Sequence, residues 1–184
     1  MISYFLGIPG SGKTYYSVNV IYQNFLKDTS SLKKKKKELS FKKDYKYCYT
    51  NINELKFKKL KNTIKLDFDD FFKKLTLLHR MYSIDKASDK ELIEKAKELK
   101  LYKILFVIDE AHNYFDVNKP VLVWWLTYHR HLYHDIFLIT QNLSLINPKY
   151  KPLAERFYRA KPISLSFNKQ YFYYKYFTES DSVK

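Results

Sequence analysis

The chain has 184 residues, only three of them glycine, and its formal net charge at pH 7 is +15, because 34 Lys and Arg outnumber 19 Asp and Glu. Its 46% apolar residues are enough to bury the core of one domain, which excludes wholesale disorder. A single cysteine excludes an internal disulfide and favours a reducing compartment, and no apolar run reaches the ~20 residues of a membrane span or resembles a secretory signal.

The hydrophobic pattern predicts strands that alternate with helices. In chain order it predicts a strand at residues 2–6, a helix at 14–27, a strand at 45–50, helices at 67–82 and 88–101, a strand at 102–108, a helix at 120–132, a strand at 135–140, a short helix at 152–156, and one or two closing strands within 159–178. This order is typical of a single α/β domain, residues 1–184, with a mostly parallel sheet. The lysine run Lys33–Lys37 lies in a predicted linker at about residues 28–43, which we expect to be mobile because like charges repel.

All three glycines fall in residues 7–14, which read GIPGSGKT and match the phosphate-binding pattern GxxxxGK[ST] in full. A predicted strand precedes the match and a predicted helix follows it, as the motif requires. The amides of residues 10–14 are expected to face phosphate oxygens, with Lys13 on the β and γ phosphates and the Thr14 hydroxyl on Mg²⁺. The fold class is therefore the three-layer sandwich of P-loop NTPases. We expect nine residues to contact ATP: Gly7, Ile8, Pro9, Gly10, Ser11, Gly12, Lys13, Thr14 and Tyr15.

Two acidic residues follow the most apolar predicted strand. Asp109 is the candidate for holding Mg²⁺, as a Walker B aspartate does, and Glu110 is the candidate for orienting or deprotonating the attacking water. Gln141, after the strand at 135–140, is a candidate sensor of the γ phosphate, although an ordinary loop amide explains it nearly as well. The predicted activity is Mg²⁺-dependent ATP hydrolysis. A small-molecule kinase is a weaker interpretation, since the lid-side motif that accompanies such loops in adenylate kinases is missing.

The remaining charged and polar clusters leave alternatives open. His129, His131 and His134 suggest a metal site, but their spacing and the lack of a further ligand favour helix-end packing. Residues 33–74 hold 15 Lys and 6 acidic residues, an excess that suits nucleic acid or anionic lipid and equally suits a solvated surface.

Several of these segments together resemble one family. GIPGSGKT, YTNI at residues 49–52, VIDEAH at 107–112 and WLTYHRHLYHDIFLITQNLSLINP at 125–148 are similar to the N-terminal ATPase region of the zonular occludens toxin family, which includes filamentous phage assembly ATPases. The resemblance implies ATP-driven phage assembly or secretion at the cytoplasmic side of the bacterial inner membrane. Phage DNA and coat or assembly proteins are then candidate partners, and the membrane would be reached through a segment not present in these 184 residues.

The resemblance also implies a ring-shaped homo-oligomer in which an arginine of one subunit completes the site of the next. Only four arginines are present, and Arg130, within the last matching segment, is the first candidate; Arg156 and Arg159 follow it. Two alternatives remain: a nucleotide-gated scaffold with little turnover, and a DNA-binding module that depends on the basic linker.

Overall fold

A computed structural model describes residues 1–27, 44–162 and 172–178, and within them the chain forms one seven-stranded sheet flanked by helices. The strands are β1 (Ile2–Leu6), β2 (Tyr47–Thr50), β3 (Thr63–Lys65), β4 (Ile104–Ile108), β5 (Asp135–Thr140), β6 (Arg156–Ala160) and β7 (Tyr174–Phe177). The helices are α1 (Lys13–Phe25), α2 (Phe68–Ser83), α3 (Asp89–Glu98), the single turn α4 (His112–Phe115) and α5 (Pro120–Tyr128).

The sheet has the order β3-β2-β4-β5-β1-β6-β7, and only β7 runs antiparallel to its neighbour. The predicted mostly parallel sheet is therefore confirmed. Because β5 lies between β1 and β4, the carboxyl ends of these three strands meet at one edge of the sheet. Parallel sheets place their ligands at this edge.

Alternate side chains of the central strands face two separate cores. In β4, Ile104, Phe106 and Ile108 pack with α2, α3 and α5, whereas Leu105 and Val107 pack with α1 on the opposite face. Trp125 of α5 is completely buried between Phe71 and Phe106, with ring centroids 4.9 and 5.0 Å away. The three layers are thus α1, the sheet, and the remaining long helices.

Local signals explain where the helices begin. Asp67 accepts hydrogen bonds from the first-turn amides of α2, and Ser88 and Glu91 form a capping box at the start of α3. Pro120 occupies the first position of α5, where a missing N–H costs nothing. Within the described residues no helix is long and apolar enough to cross a bilayer.

Some sequence predictions differ from the structure. The short helix expected at residues 152–156 is a 3-10 turn at Lys151–Leu153, and Arg156 instead begins β6, because Phe157 enters the core beside β1. The pattern also missed β3 and α4, which are three and four residues long and too short to show a period. The predicted linker at residues 28–43, with Lys33–Lys37, lies outside the described residues.

Candidate nucleotide-binding site

The loop between β1 and α1 has the backbone of a phosphate-binding nest. Gly10 and Gly12 have φ angles of 75° and 86°, in the left-handed region that favours glycine, and α1 begins directly afterwards at Lys13. The Ser11 amide donates to the Ile8 carbonyl and the Tyr15 amide to the Gly12 carbonyl, at 3.2 and 3.0 Å. The first two amides of α1, those of Lys13 and Thr14, have no carbonyl acceptor within the helix, so they are available to an anion at its positive end.

Lys13 supplies a buried positive charge at this loop. The residue is only 8% exposed, and within the described part of the chain it makes no ion pair. Burial raises the pKa of the Asp109 carboxyl, and the charge of Lys13 acts against this rise. A buried ammonium with no carboxylate at ion-pair distance is unfavourable, so the position suits a bound phosphate group.

Thr14, in the first turn of α1, contacts Asp109, which follows strand β4. The Thr14 hydroxyl donates to Asp109 Oδ2 at 3.2 Å, although the two residues are 95 positions apart. Burial raises the pKa of the Asp109 carboxyl, against hydrogen bonds from Glu110 N–H and Thr14 that lower it. A hydroxyl oxygen beside a half-buried carboxylate is a hard donor pair that fits Mg²⁺. Thr14 and Asp109 would hold the ion, which would supply positive charge against that of a bound triphosphate.

Asn51 holds Asp109 from the neighbouring strand. Its Oδ1 accepts from the Asp109 amide at 2.7 Å, and its Nδ2 donates to the Asp109 carbonyl at 2.8 Å. The Asn51 side chain therefore clamps both backbone groups of the residue whose carboxylate faces Thr14. The segment YTNI contributed to the family resemblance, but no local pattern assigned Asn51 this contact.

Glu110 extends from the same edge in an uncommon backbone conformation. Its φ is 48°, in the left-handed region, and its carboxylate is 41% exposed. His112 Nδ1 lies 3.4 Å from Glu110 Oε2 and 3.2 Å from the Thr140 hydroxyl at the end of β5. His112 thus connects the acidic pair to the strand that precedes Gln141, a contact that sequence reasoning missed.

The other predicted site residues occupy two different edges. Gln141 is exposed directly after β5, which lies between the P-loop strand β1 and the Asp109 strand β4, and its role as a sensor stays a prediction. Arg130 lies near the start of β5, at the opposite edge of the sheet, where its guanidinium is 71% exposed and 3.2 Å from Glu155. It is therefore far from the phosphate loop of its own chain. The expectation that Arg130 completes the site of a neighbouring subunit stays a prediction.

The three histidines near residue 130 have separate surroundings. His134 is buried, accepts a hydrogen bond from the Trp125 indole at 3.1 Å on Nδ1, and lies 2.8 Å from the Leu101 carbonyl through Nε2. His129 is buried beside Glu155, whereas His131 stacks on Tyr128. Among the described residues no group of three or more His, Cys, Asp or Glu side chains is arranged to hold a metal ion.

An aromatic side chain from the end of the chain completes the surroundings of the loop. A cavity of about 270 Å³ lies against it, lined by Gly10, Gly12, Lys13, Thr14, Tyr15 and Phe172. Phe172 lies just before the edge strand β7. Nothing in the local sequence connects it with a loop at the other end of the chain, so sequence reasoning missed it.

Comparison with known families supports the relationship suggested by the motifs. The family model described as Zonular occludens toxin (Zot) matches residues 1–183. No curated protein sequence matches the chain.

Solved structures with the same fold include two kinds of protein. The N-terminal domain of zonular occludens toxin from Neisseria meningitidis has a TM-score of 0.53 and 19% identity, covering 99% of this chain and 95% of that one. The DNA-packaging ATPase B204 of Sulfolobus Turreted Icosahedral Virus has a TM-score of 0.53 and 19% identity, covering 92% and 83%. The genome packaging NTPase B204 of Sulfolobus turreted icosahedral virus 2, solved with ATP-gammaS, has a TM-score of 0.54 and 17% identity, covering 97% of each chain. At these identities the likeness establishes the fold.

Proposed function

Because the chain belongs to the zonular occludens toxin family, we propose that it is an ATP-binding and ATP-hydrolysing motor domain. The observation that carries the proposal is the buried Lys13 ammonium group beside the contact between Thr14 and Asp109. These groups offer a positive charge, helix amides and a magnesium donor pair at one point, as a nucleoside triphosphate requires.

The residues at the carboxyl ends of β1 and β4 then have separate roles in binding and hydrolysis. Lys13 and the first amides of α1 bind the phosphate oxygens, and Thr14 and Asp109 would hold Mg²⁺. Glu110, whose carboxylate is partly exposed, accepts the proton of the attacking water or orients that water toward the γ phosphate. The 3.4 Å contact with His112 restrains the direction of the Glu110 carboxylate.

The motor acts in filamentous phage assembly or secretion, at the cytoplasmic side of the bacterial inner membrane. This part of the proposal is supported by family membership, and one solved structure of the same fold is the DNA-packaging ATPase of a virus. The working form is a homo-oligomeric ring whose partners are phage DNA or coat and assembly proteins. Phage release from cells whose only copy of the gene carries Lys13→Ala tests this role, and normal release would contradict it.

Phosphate release from Mg-ATP tests the enzymatic part. The native protein is expected to hydrolyse ATP, and Lys13→Ala is expected to lose both binding and turnover because the buried cation is gone. Lys90→Ala, on an exposed turn of α3, is a matched control that should leave the rate unchanged. Light scattering must accompany the assay, because a site completed by a neighbour's arginine is slow in the monomer.

Two outcomes would replace this proposal. Tight ATP binding without turnover in any assembly state would indicate a nucleotide-gated scaffold. No nucleotide binding, together with DNA affinity that falls steeply with salt, would indicate a basic DNA-binding module.

A further inference from the structure

Phe172 lies directly on the phosphate loop, with its ring against Gly12. A Cβ at Gly12 would overlap the ring atoms of Phe172, so only glycine leaves room for the ring. The Phe172 ring also contacts the Tyr15 ring, at a centroid distance of 4.8 Å and an interplanar angle of 42°. Together the two rings form an aromatic wall on one side of the cavity at the loop.

A hydrogen bond ties this wall to the loop. The Tyr174 hydroxyl donates to the Gly12 carbonyl at 2.6 Å, and the Tyr174 ring packs edge-on against Tyr16, 5.7 Å away. Strand β7, which carries Tyr174, is paired with β6 over four residues. The position of Phe172 is therefore fixed by the sheet two residues away.

The strand order indicates which end of a nucleotide would face the wall. The γ end of the triphosphate belongs with Thr14, Asp109 and Mg²⁺, on the side of β1 occupied by β5 and β4. The α phosphate and the nucleoside must then extend to the other side, toward β6 and β7. Phe172 and Tyr15 are on that side, and Tyr15 is 49% exposed, so its ring is open to a ligand.

We propose that Phe172 and Tyr15 form the platform on which the base of the bound nucleotide stacks. The inference rests on the proposed function and deepens it by assigning the nucleoside half of the ligand to β7 and the loop. Stacking on an aromatic ring requires a planar base and is sensitive to loss of that ring. The affinity for a ligand that has phosphates but no base should therefore not depend on these two rings.

Calorimetric titration of the full chain with Mg-ATP and with magnesium tripolyphosphate separates the two halves of the site. Phe172→Ala is expected to weaken ATP binding roughly tenfold to a hundredfold and to leave tripolyphosphate binding within about twofold of the native value. Tyr15→Ala should act in the same direction, and Phe172→Trp should retain ATP affinity. Tyr173→Ala is the matched control, since the neighbouring Tyr173 ring is 45% exposed.

Several results would overturn the inference. Equal weakening of both ligands by Phe172→Ala would mean that the ring only supports the loop, and equal strengthening would mean that it obstructs the loop. Unchanged ATP affinity would mean that the base lies elsewhere. If the native protein binds neither Mg-ATP nor magnesium tripolyphosphate, the proposed function fails and this inference fails with it. If it binds both, the proposed phosphate site stands, and the variants then test only whether the base stacks on Phe172 and Tyr15.

Discussion

Removal of the Asn51 side chain tests how the sheet positions the magnesium-binding carboxylate. Asn51→Ala deletes two hydrogen bonds, of 2.7 and 2.8 Å, that hold the Asp109 backbone from strand β2. Asn51→Asp keeps the shape and the acceptor but replaces the donor with an oxygen that repels the Asp109 carbonyl. Both variants should therefore release Asp109, whereas a residue needed only for its volume would tolerate aspartate.

The expected magnitude follows from the two hydrogen bonds that Asn51→Ala removes. A hydrogen bond within a protein contributes about 0.5–1.5 kcal/mol net, so two of them give a decrease of about 1–3 kcal/mol in the free energy of unfolding. Partners that orient a metal ligand typically change metal affinity or activity by about 10- to 100-fold when removed. The decrease in ATP hydrolysis should thus exceed what partial unfolding explains, because a domain of ordinary stability stays folded after such a change.

Urea unfolding and phosphate release at increasing Mg²⁺ concentrations measure the two effects separately. We expect a higher Mg²⁺ requirement for both Asn51 variants, and no change for Asn113→Ala, an exposed asparagine shortly after Glu110. An Asn51→Ala protein with native Mg²⁺ dependence and native turnover would refute the positioning role, even if its stability were lower.

Two further predictions concern the opposite edge of the sheet. If Arg130 completes a neighbouring subunit's site, mixing Arg130→Ala subunits with Lys13→Ala subunits should restore hydrolysis that neither variant has alone, and an inactive mixture of intact oligomers would exclude this arginine. Burial lowers the pKa of His134 to about 3 from an ordinary value near 6.5. Between pH 6.5 and pH 3, His134 binds a proton in the unfolded chain but not in the folded chain. The free energy of unfolding therefore decreases as the pH is lowered through this range, by about 2 kcal/mol between pH 7 and pH 5. Urea unfolding at the two pH values measures this decrease, which His134→Gln should reduce, and an equal pH dependence in that variant would contradict the assignment.

The sequence was most informative where the residues of the site are neighbours in the chain. GIPGSGKT brings its glycines, lysine and threonine into one turn, so the loop between β1 and α1 was predictable without knowledge of the sheet. The long strands were also predictable, because β4 and β5 are buried on both faces and read as continuous apolar runs. Asp109 and Glu110 followed from the end of such a run.

The contacts that complete the site depend on distant parts of the chain. Asn51 reaches Asp109 only because β2 pairs with β4, and Phe172 reaches Gly12 only because β7 returns beside β6. His112 contacts Thr140 across neighbouring strands. Such pairings are tertiary, and no period or motif in one segment encodes them. Arg156 was assigned to a helix for the same reason, since its strand is defined by pairing with β1.

The central claim is tested most directly by comparing ATP binding with ATP turnover in Glu110→Gln. Gln keeps the volume of the side chain but cannot accept the proton of water, while Lys13, Thr14 and Asp109 remain to bind the nucleotide. Glu98→Gln, on the exposed face of α3, is the matched control. We predict native Mg-ATP affinity for Glu110→Gln with hydrolysis reduced by about 10²- to 10⁴-fold in the same oligomeric state. Native turnover in Glu110→Gln, or no turnover in the native oligomer, would contradict the assignment of this protein as an ATP-hydrolysing motor.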